Sequence, residues 1–324
     1  MVESKDTTLS LVVTGADTEL GLETIRQLVA CRYQVTGIAQ SKDGATAITS
    51  VGGTPADANL TSAAELKDVL RTAKAEVVLN LTPQLANTLL HDGQGWKGYD
   101  KVLPATTTAL LEAVEDTNVK FLVHTSYAFL YGNATDATES TPLTAPSNDA
   151  IFTAAIDAEK RVINSKIPAC VLRMGYLYGP QSKDLKLYVK SFKLGRPYFA
   201  GRPSNLANWL HFEDAAIALV QVAQKQPTGA VLNVVDGNPV SFADFIDNFA
   251  FTLGRKRPGH IPMWLTPLAL ILVIKPQQVE LLELSTTVKN DAIRQQLGWS
   301  PRYANYREGL QQTVQIWRSN NEIE

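Results

Sequence analysis

Residues 9–21 read LSLVVTGADTELG. The first part, LSLVVTG (9–15), is apolar, β-branched and uncharged, the pattern of a strand covered on both faces. The chain then enters LETIRQLVACR (22–32), whose apolar positions recur at helical spacing. Gly15 permits the tight turn between them, and Gly21 lets the helix pack close to the sheet. A helix started this way aims its first N–H groups and the positive end of its dipole above the turn, a seat suited to a pyrophosphate. Thr18 stands where a middle glycine would let phosphates approach. Its side chain crowds that place, or its hydroxyl donates to a phosphate. A plain strand-to-helix turn is the alternative.

Outward from that stretch the same rhythm repeats. QVTGIAQ (34–40), EVVLNLT (76–82), KFLVHTS (120–126) and PACVLRMG (168–175) read as further strands. AAELKDVLRTA (63–73), TTTALLEAVEDT (106–117) and residues 151–165 read as helices between them. Strands alternating with helices imply right-handed crossovers, hence an α/β fold with a doubly wound parallel sheet. After Gly179-Pro180 the pattern shifts to a Lys-rich helical piece (183–194) and the turn-rich GRPYFAGRPSNLAN (195–208), and AVLNVV (230–235) returns to the sheet. The expected organisation is a nucleotide-binding part, 8–180 with 209–238, and a smaller C-terminal substrate-binding cap, 181–208 with 239–324. The run MWLTPLALILVI (263–274) is too short to span a bilayer and is read as cap core, then as one wall of an apolar pocket, with membrane contact as a third alternative.

Composition narrows the functions. A net charge of −2 over 324 residues leaves no electrostatic footprint for nucleic acid or an anionic membrane. The four histidines are scattered without ligand spacing, so no metal site is expected. Cys31 and Cys170 fall in an apolar helix and an apolar strand, and buried free thiols fit a reducing cytoplasm. The polar start, MVESKDTTLS, has no apolar core of a signal peptide. These features point to a soluble protein with no nucleic-acid partner and no stable membrane insertion.

The choice between NAD and NADP should lie at the end of the second strand, where an acidic residue would hold the ribose 2′-OH. Gln40-Ser41-Lys42 offers instead a cation and two neutral donors suited to a 2′-phosphate, a slight lean toward NADP. A solvated lysine is the alternative.

With these residues in view, the chain resembles an extended short-chain dehydrogenase/reductase of the NAD-dependent epimerase/dehydratase type. TGADTEL-G is similar to that family's nucleotide loop, and Thr125-Ser-Tyr-Ala-Phe-Leu-Tyr-Gly132 resembles its "SSxxVYG" strand end. Leu172-Arg-Met-Gly-Tyr-Leu-Tyr-Gly-Pro180 resembles "LRPxxxYGP", His211-Phe-Glu-Asp214 resembles "VHVDD", and Leu297-Gly-Trp-Ser-Pro301 matches "LGWxP". The resemblance implies a Rossmann fold, NADP or NAD as cofactor, and a homodimer built on helices near 101–117 and 151–165, the latter with an alanine face at Ala154, Ala155 and Ala158. It places cofactor contacts at Gly15, Asp17, Thr18, Glu19, Leu20 and Gly21, then at Gln40, Ser41 and Lys42. Further contacts fall at Asp57, Ala58, Leu81, Thr82, Thr125, Met174 and Gly175.

The family's proton donor does not carry over. Its tyrosine and the lysine four residues later belong in IFTAAIDAEK (151–160), which holds no tyrosine. Anchoring on Glu159 puts Ile151 and Ala155 at those places, and anchoring on Lys160 puts Ile156 at the tyrosine. The family's catalytic Ser/Thr falls on Tyr127, with Ser126 beside it. Tyr127 and Ser126 are therefore the candidate catalytic residues, Tyr127 foremost because a phenol releases its proton more readily than a serine hydroxyl. Filling of space is the other reading of Tyr127. Arg173 and Tyr178 read as braces, and His211 with Glu213-Asp214 as a helix start. Asp157 and Glu159 read as the polar face of a helix, while the resemblance places Glu159 near the site. The expected function is an NAD(P)-dependent oxidoreductase or epimerase acting on a small-molecule hydroxyl or carbonyl with a rearranged proton donor. The alternative is a catalytically silent NAD(P)-binding redox sensor or structural subunit.

Overall fold

A computed structural model describes residues 9–81, 98–265 and 276–323. In chain order the first elements are β1 (Ser10–Thr14), α1 (Glu19–Ala30), β2 (Gln34–Ala39), α2 (Lys42–Ser50), β3 (Thr54–Asp57), α3 (Ala63–Thr72) and β4 (Val77–Asn80). They continue with α4 (Tyr99–Val114), β5 (Phe121–Tyr127), β6 (Ala134–Ala137), α5 (Ala150–Ile163) and β7 (Ala169–Met174). Seven strands form one sheet in the order β3-β2-β1-β4-β5-β7 and then β12 (Val231–Val234), and every pairing is parallel. Because β1 is buried along its whole length, it lies mid-sheet, and the winding reverses between it and β4. At such a reversal the helices depart to opposite faces, and a crevice opens beyond the strand ends.

The remaining elements are β8 (Tyr176–Tyr178), α6 (Lys183–Lys193), β9 (Tyr198–Phe199), β10 (Leu206–Ala207), β11 (Trp209–His211) and α7 (Phe212–Lys225). After β12 come β13 (Val240–Ser241), α8 (Phe242–Thr252), β14 (His260–Ile261), α9 (Pro276–Glu283), β15 (Thr286–Val288), α10 (Asp291–Leu297) and α11 (Tyr306–Ser319). One face of the sheet packs on α1 and α7 through Leu20, Ile25, Leu28 and Leu219. The other packs on α3 and α4 through Leu66, Leu70, Leu110 and Ala113. A separate aromatic cluster joins β11, α8 and α11, with Trp209 stacked on Phe245 at 3.5 Å and Phe249 edge-on to Trp317. β15 returns across the chain to pair with β6.

Several expectations change. Strand β3, TPAD, and helix α2, KDGATAITS, have no counterpart in the sequence reading. The strand lies at the sheet edge, where Pro55 is tolerated and no apolar run is required. The helix is weak in propensity but is started by Ser41, whose Oγ accepts from Gly44 N. Cys31 is exposed at the C-terminal cap of α1, so only Cys170 is a buried thiol. Ala154, Ala155 and Ala158 point into the subunit, against a cluster containing Phe129 and Leu281. They are therefore not an outward face for a partner. Trp264 is 76% exposed, which removes it from the cap core, while residues 266–274 of that run and Thr82 lie outside the described residues. Among the described residues no helix is long and apolar enough to cross a membrane, and no group of His, Cys, Asp or Glu could hold a metal ion.

One buried carboxylate makes the fold pH-sensitive. Asp236 follows β12, accepts from Asn238 N through Oδ1 at 2.9 Å, and leaves Oδ2 without a partner among the described residues. Burial, with Asp214 nearby, raises its pKa to about 8. A raised folded pKa means the unfolded chain ionises first, so stability is full below the ordinary carboxylate range and is lost as pH climbs through about 8. Asp236→Asn mimics the neutral acid. Between pH 4 and pH 8.5 the variant should gain on the parent by at least about 1.4 kcal/mol, one unit's worth of shift, in urea unfolding. An equal difference at both pH values would refute this.

Candidate functional site

The turn after β1 has the geometry an anion needs. Gly15 adopts a φ of 62°, and a Cβ built on Gly21 would lie 2.2 Å from Gly15 O, so the helix passes too close for any side chain. Thr18 is the N-cap of α1: its hydroxyl donates to Gly15 O at 2.7 Å and accepts from Gly21 N at 3.1 Å. The hydroxyl proton is thus spent inside the turn, and Thr18 shapes the loop instead of donating to a phosphate. Among the described residues the N–H groups of Glu19 and Leu20 donate to no protein acceptor. Two open donors at the positive end of a helix dipole fit a pyrophosphate. Glu19 swings away to pair with Lys183 at 3.2 Å, and Leu20 is core.

The other expected contacts converge on the same sheet edge. Gln40 follows β2 and reaches Ala58 O through Nε2 at 3.4 Å, bringing the ends of β2 and β3 together. Asp57 is exposed and Ala58 buried. Ser41 and Lys42 are exposed at the start of α2. Leu81 is buried just past β4, and Thr125 Oγ1 donates to Asn80 O at 3.3 Å. Met174 closes β7. A Cβ at Gly175 would meet Asn208 O at 2.7 Å, so the chain there is held against the start of β11.

Beneath this edge, polar side chains bind the strands to one another. Thr14 donates to Asn80 Oδ1 at 2.7 Å, and Asn80 Nδ2 lies 2.9 Å from His124 Nδ1. Burial lowers the His124 pKa to about 4, keeping the ring neutral. Ser126 Oγ donates to Glu159, which also receives Arg173 Nε at 3.0 Å and Nη2 at 2.8 Å. Arg173 Nη1 donates to Tyr131 Oη at 2.7 Å, and Tyr131 donates to Asn233 Oδ1 at 2.8 Å. One buried network therefore crosses α5, β5, β7 and β12. Glu159 is not on a solvated face; it is 3% exposed. A lone acid in register with Ile151 and Ala155, facing a lone arginine in the apolar strand ACVLRM, was the sequence signal for this pair. His211 caps α7 by accepting from Glu213 N at 3.2 Å, as its sequence position suggested.

Tyr127 ends β5 and remains half-buried. Its ring stacks on Phe129 with centroids 4.8 Å apart, and its Oη lies 3.3 Å from Tyr99 Oη at the start of α4. Burial, then the neighbouring Tyr127, raises the Tyr99 pKa well above its ordinary value, so Tyr99 stays protonated. The two tyrosines share one apolar cluster with Ile151, Phe152 and Ala155 of α5. Next to this cluster a narrow pocket of about 10 Å³ is lined by Phe129, Met174, Tyr176, Leu206, Leu281 and Leu284, among others. Sequence reading missed Tyr99: a single aromatic at a helix start carries no signal until the fold brings a second phenol to it.

Residues 11–234 match the NAD dependent epimerase/dehydratase family. The chain belongs to that family. A 3-diazoavenalumate denitrifying reductase from a Streptomyces species is 30% identical over 215 residues, 63% of this chain and 68% of the relative. A decarboxylating sterol-4-alpha-carboxylate 3-dehydrogenase from Candida albicans is 26% identical over 215 residues, 63% of this chain and 60% of the relative. The NAD complex of a dTDP-glucose 4,6-dehydratase from Bacillus anthracis superposes with a TM-score of 0.77 at 20% identity, over 97% of this chain and 98% of the other. Membership in the epimerase/dehydratase family, with these reductase and dehydrogenase relatives, supports NAD(P)-dependent oxidoreductase or epimerase chemistry on a small molecule.

Proposed function

We propose that this chain moves hydride between NAD(P)(H) and a carbonyl or hydroxyl of an apolar, aromatic small molecule, with Tyr127 handling the proton. The observation that carries the reading is the Tyr127–Tyr99 phenol pair, 3.3 Å apart and packed in one cluster with Ile151 and Ala155. Those two helix positions hold no proton to give. The dinucleotide, when bound, supplies or accepts the hydride. The open N–H groups of Glu19 and Leu20 would hold its pyrophosphate, and Ala58 and Gln40 would flank its adenosine. In the reducing direction Tyr127 gives its proton to the substrate oxygen and is left as phenolate. Tyr99 donates to that oxyanion, and a hydrogen bond to the charged form lowers the cost of making it. Tyr99 thus positions Tyr127 and does part of the work of an absent lysine. Ser126 stays with Glu159 as a brace.

The reading of the substrate class rests on the side chains beside the phenol pair, since the pocket there, at about 10 Å³, holds no more than a water as it stands. Phe129, Tyr176, Leu281 and Leu284 offer apolar and aromatic surface. Of the polar side chains there, Asn208 is spent on Thr286 O and Val288 N, and Thr286 Oγ1 donates to Gly132 O. Such walls suit a flat or greasy molecule better than a nucleotide sugar. The names of the reductase and the sterol dehydrogenase relatives agree with this. In this reading 8–180 with 209–238 carry the dinucleotide, and 181–208 with 239–324 choose the substrate. The family resemblance supports a homodimer, and the two free thiols suit a cytoplasmic location. Aromatic and alicyclic ketones offered with NADH or NADPH should oxidise the cofactor, followed as loss of its absorbance. Tight cofactor binding with no turnover across such a panel would instead favour a catalytically silent redox sensor or structural subunit.

A further inference from the structure

We infer that Asp17, in the turn after β1, selects the cofactor, and that it selects NAD over NADP. The inference rests on the dinucleotide site proposed above. In a doubly wound sheet the adenosine ribose lies beyond the end of the second strand. Strand β2 ends at Ala39, and the next N–H, that of Gln40, donates to Asp17 Oδ2 at 3.0 Å. A carboxylate from the glycine turn thereby reaches the place where an acid at the strand end would stand. Its Oδ1 accepts no bond among the described residues, leaving it open to a ribose hydroxyl.

The packing around Asp17 fixes this position. A Cβ built on Gly44 would fall 2.5 Å from Asp17 Oδ2 and 2.8 Å from its Cβ, so only glycine at 44 leaves room for the carboxylate against the first turn of α2. Gly44 N is already taken by Ser41 Oγ at 3.0 Å. A 2′-phosphate entering here would find the positive end of α2 occupied by a negative group, and like charges at such range disfavour one another. Lys42 is exposed, and a hydrated ammonium on a flexible stem is screened by salt. The Gln40-Ser41-Lys42 stretch therefore loses its lean toward a 2′-phosphate once the neighbouring turn is folded over it.

Calorimetric titration of the full chain tests this without reference to turnover. NADH should bind at least about tenfold more tightly than NADPH, the equivalent of 1.4 kcal/mol. Asp17→Asn keeps an acceptor for Gln40 N but removes the charge, and it should bring the two affinities within about threefold. Gly44→Ala leaves every charge in place, suits a helix interior, and displaces Asp17; it should narrow the ratio in the same way. Circular dichroism verifies that both variants fold. NADPH binding as tightly as NADH to the unmutated chain, or an unchanged ratio in Asp17→Asn, overturns the role of Asp17 while leaving the dinucleotide site standing. Failure of both dinucleotides to bind overturns the site itself, and the inference with it.

Discussion

Tyr127→Phe should lower kcat and kcat/KM together by about 100-fold, with NADH affinity unchanged. The substitution removes one oxygen and keeps the ring, so the stack on Phe129 persists and the fold has no reason to change. What disappears is the proton donor and the hydrogen bond with Tyr99. A hundredfold loss corresponds to about 2.7 kcal/mol of transition-state stabilisation. Tyr99→Phe should cost less, and should shift the alkaline limb of the pH–rate profile upward, because Tyr127 loses the donor that eases its ionisation. Full turnover by Tyr127→Phe on a substrate of the unmutated protein would show that the phenol only fills space.

The second large effect concerns the fold. Glu159→Ala should destabilise the protein by about 3–5 kcal/mol, because it strands Arg173 as an uncompensated charge among apolar strands. Both partners are nearly excluded from water, and three donors converge on the carboxylate, from Ser126 Oγ and from Arg173 Nε and Nη2. Removing both charges together, as Glu159→Met with Arg173→Met, should recover much of that loss, since the desolvation cost disappears with the pair. A double variant as unstable as the single one would mean that Tyr131 and Asn233 depend on Arg173 for more than charge.

How much of this was legible from residues alone depends on which signal each element carries. The buried strands β1, β2, β4, β5, β7 and β12 announce themselves through β-branched apolar runs, and the glycine turn fixes where the winding begins. Strand β3 and helix α2 were invisible, because an edge strand needs no apolar run and a short helix can live on its cap and its packing. Asp17 was legible as a loop residue but not as a neighbour of Gln40; the contact spans 23 positions and exists only after β1 and β2 pair. Tyr127 could be singled out by resemblance, whereas Tyr99 could not, since nothing in a local window says that two phenols 28 positions apart will touch. Glu159 was misjudged for a related reason. A charge on a helix defaults to solvent unless its partner strand is weighed at the same time.

The pairing of β6 with β15 bears on how the molecule is made. Asp136 N bonds Thr287 Oγ1 at 2.7 Å across 151 positions, and α9 beside β15 supplies Leu281 to the pocket. A ribosome finishes the whole parallel sheet when β12 emerges, at Val234. At about 5–20 residues per second, roughly 3–10 s more pass before β15 follows. Through that interval Phe129 and Tyr176 lack their closing wall, so the nascent chain exposes the aromatic side of its own pocket. Contacts of such long sequence separation also form slowly after release from denaturant. The apolar pocket is therefore closed only after the parallel sheet is complete, and a chaperone meeting the nascent chain in that interval would find the pocket's aromatic side exposed.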